Sequence, residues 1–247
     1  MMMRDYEAET EKRVEFIRKL LRNSGSKGVV FGNSGGKDCA LVGILCKKAC
    51  EDTVGLIMPC GSKRNYNEDV KDAMAVSEQY GIQARTVDLS GVANEMKREL
   101  GHAVDLSGEA AANIAPRLRM TALYAVAASE RRLVAGTGNR SEMYMGYFTK
   151  WGDGAYDFNP IADLTVTEVF GFLRYLGAPS RIIEKEPSAG LFDGQTDEDD
   201  MGVTYKSIDG FLLNGQCAQE ELDIINRYHR ASEHKRRSPA VYEIENP

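Results

Sequence analysis

The sequence predicts an α/β fold, a parallel sheet with helices on both faces in a single domain. Three observations carry that expectation. Short β-branched runs alternate with amphipathic helical stretches from Val29 to Ala135, and a Ser34-Gly35-Gly36 turn joins the first strand to an apolar-periodic helix. No internal repeat or linker divides the 247 residues, which are enough for one sizeable core.

The N-terminal stretch 5–22 carries Val14, Phe16, Ile17, Leu20 and Leu21 at helical spacing and ends at Asn23-Ser24-Gly25-Ser26. Val29-Val30-Phe31-Gly32 is the first strand, and a helix from Lys37 follows it. Cys46 and Cys50 lie one turn apart there and read as small core residues rather than a redox pair. Residues 53–58 form a second strand, 67–80 a helix stopped by Gly81, 82–88 a third strand and 91–100 a connecting helix. The alanine-rich run 109–130 is helical, with a kink or a helix start at Pro116, and would set Asn113 and Arg117 on one face with Arg119 elsewhere. Residues 133–136 give a fourth strand, and Thr137 to Glu142 turn out of it. Beyond a glycine-rich loop around Lys150, Trp151 and Asp153, helices are expected over 164–176, 205–213 and 216–230. The acidic stretch 187–203 between them reads as a surface loop or a mobile lid.

The turn Gly32-Asn33-Ser34-Gly35-Gly36-Lys37-Asp38 has the chemistry of a phosphate cradle. Glycines let amide groups converge on an anion, and the helix start adds unpaired donors and partial positive charge. Asp38 would repel phosphate but suits a magnesium ion that bridges to it. The pattern is neither a Walker A loop nor a Gly-x-Gly-x-x-Gly fingerprint. In a parallel sheet the turns after the first and fourth strands open at the same edge, where together they can hold one nucleotide.

A net charge of −6 argues against a general nucleic-acid binder. Five cysteines without C-x-x-C spacing fit a reducing compartment and give no metal-cluster signature. A charged N-terminus and the lack of a long apolar run predict a cytoplasmic protein without a membrane span.

Several motifs in order resemble the ammonia-dependent NAD synthetases, within the Rossmann-like, adenine nucleotide alpha-hydrolase-like ATP pyrophosphatases. They are Ser34-Gly35-Gly36-Lys37-Asp38, Asn113-x-x-x-Arg117-x-Arg119-Met120, Gly136 to Glu142, Gly146 to Asp153, Pro187 to Leu191, Gln195 to Glu198 and Glu233 to Arg236. The resemblance implies one domain over 1–247, with a nucleotide-binding core at 28–180, a lid at 187–203 and C-terminal helices and tail at 205–247. It also implies ATP-dependent amidation of deamido-NAD through a nicotinate adenylate, with magnesium, ammonia and a homodimer.

By the same resemblance Gly32, Ser34, Gly35, Gly36, Lys37, Asp38, Cys39, Arg119, Thr137 and Ser188 serve ATP, and Asp38 and Glu142 hold magnesium. Asn113, Arg117, Lys150, Asp157, His234 and Lys235 serve deamido-NAD, the first two on a helix that the partner subunit could supply. Lys150 and Asp153 are the catalytic candidates, with Asp153 placed to position ammonia or take its proton.

Two positions depart from the family pattern. Val166 stands where many members carry a phosphate-contacting lysine, so that either the contact is omitted or another cation, Lys150 or Lys185, supplies it, and Cys39 stands where the loop usually has serine. A tRNA-modifying relative would want paired cysteines or a basic module, and a glutamine-dependent enzyme a further domain. A non-catalytic nucleotide sensor would bind ATP without releasing AMP.

Overall fold

The computed structural model describes residues 4–61, 63–185 and 196–242, with only the backbone of 63–67. Its elements are α1 (Tyr6–Ser24), β1 (Gly28–Gly32), α2 (Lys37–Ala49), β2 (Thr53–Ile57), α3 (Lys63–Tyr80), β3 (Gln83–Thr86) and α4 (Ser90–Gly101). Then come α5 (Gly108–Ala112), α6 (Ile114–Glu130), β4 (Arg132–Ala135), α7 (Arg140–Met145), α8 (Val166–Leu176) and α9 (Ser180–Ile183). The chain continues through α10 (Asp197–Met201), α11 (Tyr205–Asn214), α12 (Gln219–Ala231) and α13 (Glu233–Arg236).

The four strands are parallel in the order β3-β2-β1-β4, with Val29 level with Thr53 on one side and Leu133 on the other. The strand period of two splits the apolar residues between two faces. Val29 and Phe31 join Leu41, Ile44 and Leu45 of α2 and Phe172 of α8 on one face. Val30, Val54, Leu56 and Val134 pack with Ala127 and Leu123 of α6 on the other. Both central strands, buried on either side, therefore read as near-continuous apolar runs. A third cluster, Met145, Val166, Met201, Tyr205, Ile208 and Ile225, holds the C-terminal helices against α7 and α8.

Several sequence expectations are corrected. The third strand spans only Gln83–Thr86. Cys50 is the extended residue that ends α2, so Cys46 and Cys50 do not share a helix. The run 109–130 breaks at Asn113, which closes α5 and precedes α6, and Pro116 falls in the first turn of α6, where its missing N–H costs nothing. Asn113 and Arg117 therefore do not sit four apart on one helix face. Within the expected lid, residues 197–201 form a helix capped by Thr196, whose hydroxyl accepts from the Asp199 amide. Residues 187–195 of that stretch lie outside the described residues.

Candidate active site

A cavity of about 910 Å³ opens at the carboxyl ends of β1, β2 and β4. The phosphate turn forms one wall. Gly36 precedes α2 without any side-chain cap, so the first-turn amides of that helix are left to an anion. Gly35 takes φ 74°, and an added Cβ there would fall 2.4 Å from the Asp69 carbonyl oxygen, so only glycine fits. The Cys39 thiol lies under the turn, 3.3 Å from Ser34 Oγ and 3.1 Å from the Gly36 carbonyl oxygen. It supports the loop from below, and burial raises its pKa.

The second turn, after β4, is locked to the first. Asn139 caps α7 in a capping box with Glu142, and its Nδ2 donates to Asp38 Oδ1 at 3.1 Å. Lys37 Nζ lies 2.8 Å from Asp38 Oδ2 and 3.5 Å from Glu142 Oε1. Burial, then the neighbouring Asp38, push the Glu142 carboxyl up to about 8 against the pull of Lys37. Asp38 and Glu142 fit a magnesium ion. They are hard oxygen donors on facing turns whose crowded negative charge already draws in one cation. The described residues contain no group of three such ligands, so the ion would take its remaining ligands from phosphate and water.

The far end is built from the loop after α7. Asp153 Oδ1 accepts from the Thr149 amide at 2.9 Å, and Thr149 Oγ1 donates to Asn113 Oδ1 at 2.5 Å. The Asp153 carboxylate meets water through the cavity but is encircled by protein, and that desolvation raises its pKa. Lys235 Nζ donates to the carbonyls of Gly146 and Phe148, each at 2.8 Å, and burial lowers its pKa. Arg119 Nε donates to the Met58 carbonyl at 3.1 Å, on the wall beside the end of β2.

Gly32, Ser34, Gly36, Lys37, Asp38, Cys39, Asn113, Arg119, Thr137, Glu142, Asp153 and Lys235 all line this cavity, and Gly35 shapes its turn. Four expected residues do not line it. Arg117 is exposed, with Nε 3.4 Å from the Lys150 carbonyl. Lys150 Nζ donates to the carbonyl of the exposed His234 at 2.7 Å. Asp157 Oδ2 accepts the Val134 amide at 2.8 Å, extending the sheet instead of facing the cavity. Ser188 lies outside the described residues.

Sequence reasoning missed Asn139, although the Asn139-x-x-Glu142 spacing is a capping-box signature. It also missed Tyr147, whose hydroxyl donates to Asp200 Oδ2 at 2.7 Å, and Asp197, buried beside the metal candidates and holding the Tyr205 hydroxyl at 2.9 Å. Both residues lie within the quoted motifs, but the pairing of Tyr147 with Asp200, 53 positions away, is made by the fold and not by spacing.

Comparisons with known proteins agree with this arrangement. The NAD synthase family model matches residues 9–239. The NH(3)-dependent NAD(+) synthetase of Carboxydothermus hydrogenoformans is 48% identical, over 96% of this chain and 98% of its own. Among solved structures, the NMN synthetase from Francisella tularensis superimposes with a TM-score of 0.93 at 36% identity, covering 98% of this chain and 100% of that one. An NH3-dependent NAD synthetase from Campylobacter jejuni gives 0.80 at 29%, covering 97% and 100%. With the family model spanning nearly the whole sequence, the chain belongs to the NAD synthase family.

Proposed function

We propose that this chain is a C–N ligase that amidates deamido-NAD to NAD with free ammonia and ATP, releasing AMP and pyrophosphate. The observation that carries the reading is the two-ended cavity, with amides converging on a phosphate turn at one end and a carboxylate, Asp153, lining the other. In the first step a nicotinate carboxylate oxygen bonds to the α-phosphorus, the bond to the β-phosphate oxygen breaks, and pyrophosphate leaves. The amides of the Ser34 to Asp38 turn hold the departing charge. Asp38 and Glu142 would hold magnesium, which neutralises phosphate charge when bound. In the second step ammonia bonds to the acyl carbon, the bond from that carbon to the bridging phosphate oxygen breaks, and AMP leaves with that oxygen and the bonding electron pair. Asp153 takes the proton lost by nitrogen, and its raised pKa makes it a stronger base than an exposed aspartate.

Charge supports the need for a metal. Among the described residues that line the cavity, carboxylates outnumber cations seven to four, so a polyphosphate entering without a cation would be repelled. In this reading Asn113 and Lys235 serve the second nucleotide, Arg119 serves ATP, and a homodimer is part of the same reading. The test is purified protein with ATP, magnesium, ammonium and deamido-NAD. NAD and AMP should appear in equal amounts, and neither product would sink the assignment. Sedimentation tests the dimer.

The superposition on the NMN synthetase, tighter than on the Campylobacter NAD synthetase, favours a second reading, amidation of nicotinate mononucleotide by the same chemistry. The same assay with the mononucleotide decides it. A higher kcat/KM for the mononucleotide than for deamido-NAD would establish that preference.

A further inference from the structure

Val166 opens α8 at 3% exposure and packs with Met145, Met201, Tyr205 and Ile208, so the position offers the cavity no charge. The other cations near the cavity are placed elsewhere. Lys37 stands between Asp38 and Glu142, Arg119 donates to the Met58 carbonyl beside the end of β2, Lys235 is bound to two carbonyls at the Asp153 end, and Lys150 donates to His234 outside it. Lys185 differs in position. It lines the cavity, and its Nζ lies 2.8 Å from Asp69 Oδ1 and 2.6 Å from Asp72 Oδ2.

Those two carboxylates belong to the stretch of α3 packed directly on the phosphate turn. A Cβ on Gly35 would stand 2.4 Å from the Asp69 carbonyl oxygen and 2.8 Å from Asp72 Cβ. The ammonium is thereby fixed beside the cradle, on a side chain only 17% exposed, where a phosphate contact is stronger than in open water. Two of its three donors go to carboxylates, which leaves a third. Arg181 Nε also pairs with Asp72, so that carboxylate keeps a partner if Lys185 moves.

We propose that Lys185 binds the β- and γ-phosphates of a nucleoside triphosphate in this cavity, transferring its ammonium from Asp69 and Asp72 to the phosphate oxygens. The two aspartates hold the cation beside the cradle when no polyphosphate is present, and they compete with the phosphates for it. The proposal rests on the reading of ATP as co-substrate.

The experiment is calorimetric titration of the whole protein with two probes, the magnesium complex of α,β-methylene-ATP and AMP. Lys185→Ala weakens the triphosphate analogue by about tenfold, the usual worth of a charge-assisted contact, and leaves AMP affinity within about twofold. Lys185→Arg recovers most of the loss, and Asp69→Asn tightens the analogue by removing a competitor. The proposal is overturned if Lys185→Ala leaves the analogue unchanged or weakens AMP equally, or if Asp69→Asn weakens the analogue as Lys185→Ala does. A wild-type protein that binds neither probe overturns it together with the proposed reaction. Lys185-dependent binding of the analogue without any NAD formation overturns the reaction alone.

Discussion

Asp38 is held at both of its oxygens: Lys37 Nζ lies 2.8 Å from Oδ2, and Asn139 Nδ2 lies 3.1 Å from Oδ1. The carboxylate thus joins the turns after β1 and β4 and keeps a fixed orientation. Asp38→Ala should lower kcat by about 10²- to 10³-fold, the scale expected when a preorganised electrostatic group is lost. AMP release measures this, with circular dichroism showing an intact fold. Turnover near wild type would remove the metal role.

Glu142 gives a pH prediction. Its carboxyl, raised by burial and by the neighbouring Asp38, holds a proton more tightly than an ordinary glutamate and must give it up to bind a cation. Binding of the magnesium complex of an ATP analogue should release a proton near pH 7 and none near pH 9.5. Titration calorimetry in buffers of different ionisation enthalpy reads this directly, and identical heats at pH 7 would refute it. The sign for stability runs the same way. The folded state holds this proton more tightly than the unfolded chain, so Glu142 lowers metal-free stability as pH rises from about 4.5 to about 8.

Asp153 serves the second half of the reaction in this reading, so Asp153→Asn should separate the two steps. Exchange between ATP and labelled pyrophosphate, which reports adenylation, should persist. Amide formation should fall by about 100-fold, the range for loss of a general base. Equal loss of both activities would place Asp153 in the first step or in the fold.

Asp209, 2% exposed, accepts from Ser141 Oγ at 2.5 Å and from the Thr167 amide at 2.7 Å, fastening α7 and α8 to α11. Asp209→Ala would strand both donors, at a cost of about 3 kcal/mol in urea unfolding. Asp209→Asn, which keeps one acceptor, should cost about half as much on the same basis. No shift in the urea midpoint would show that the three helices do not depend on this carboxylate.

The core strands and the phosphate turn were legible because their signals are local. Val29-Val30-Phe31 is apolar on both faces, and Ser34-Gly35-Gly36 sits at a strand-to-helix junction. β3 was overextended because Val87 and Asp88 continue its pattern, yet regular pairing with β2 stops at Thr86. Arg117, Lys150, Asp157 and His234 carry motif positions but do not line this cavity, because side-chain direction depends on the packing of α6, α13 and the loop between α7 and α8, which spacing does not encode. Lys185 and Asp69 lie 116 positions apart, and only the fold brings them together.

The seating of Asp157 on β4 has a consequence beyond the cavity. The Val134 amide is taken by Asp157 Oδ2, the Val134 carbonyl accepts the Asp157 amide, and Gly136 donates to the Phe158 carbonyl. One lateral border of the sheet is therefore sealed by the chain itself. The opposite border is β3, four residues long with charged Arg85 in its middle, too short and too well hydrated to recruit another strand. Neither border offers a template for fibril growth, so concentrated protein should resist aggregation for as long as residues 157–158 stay docked.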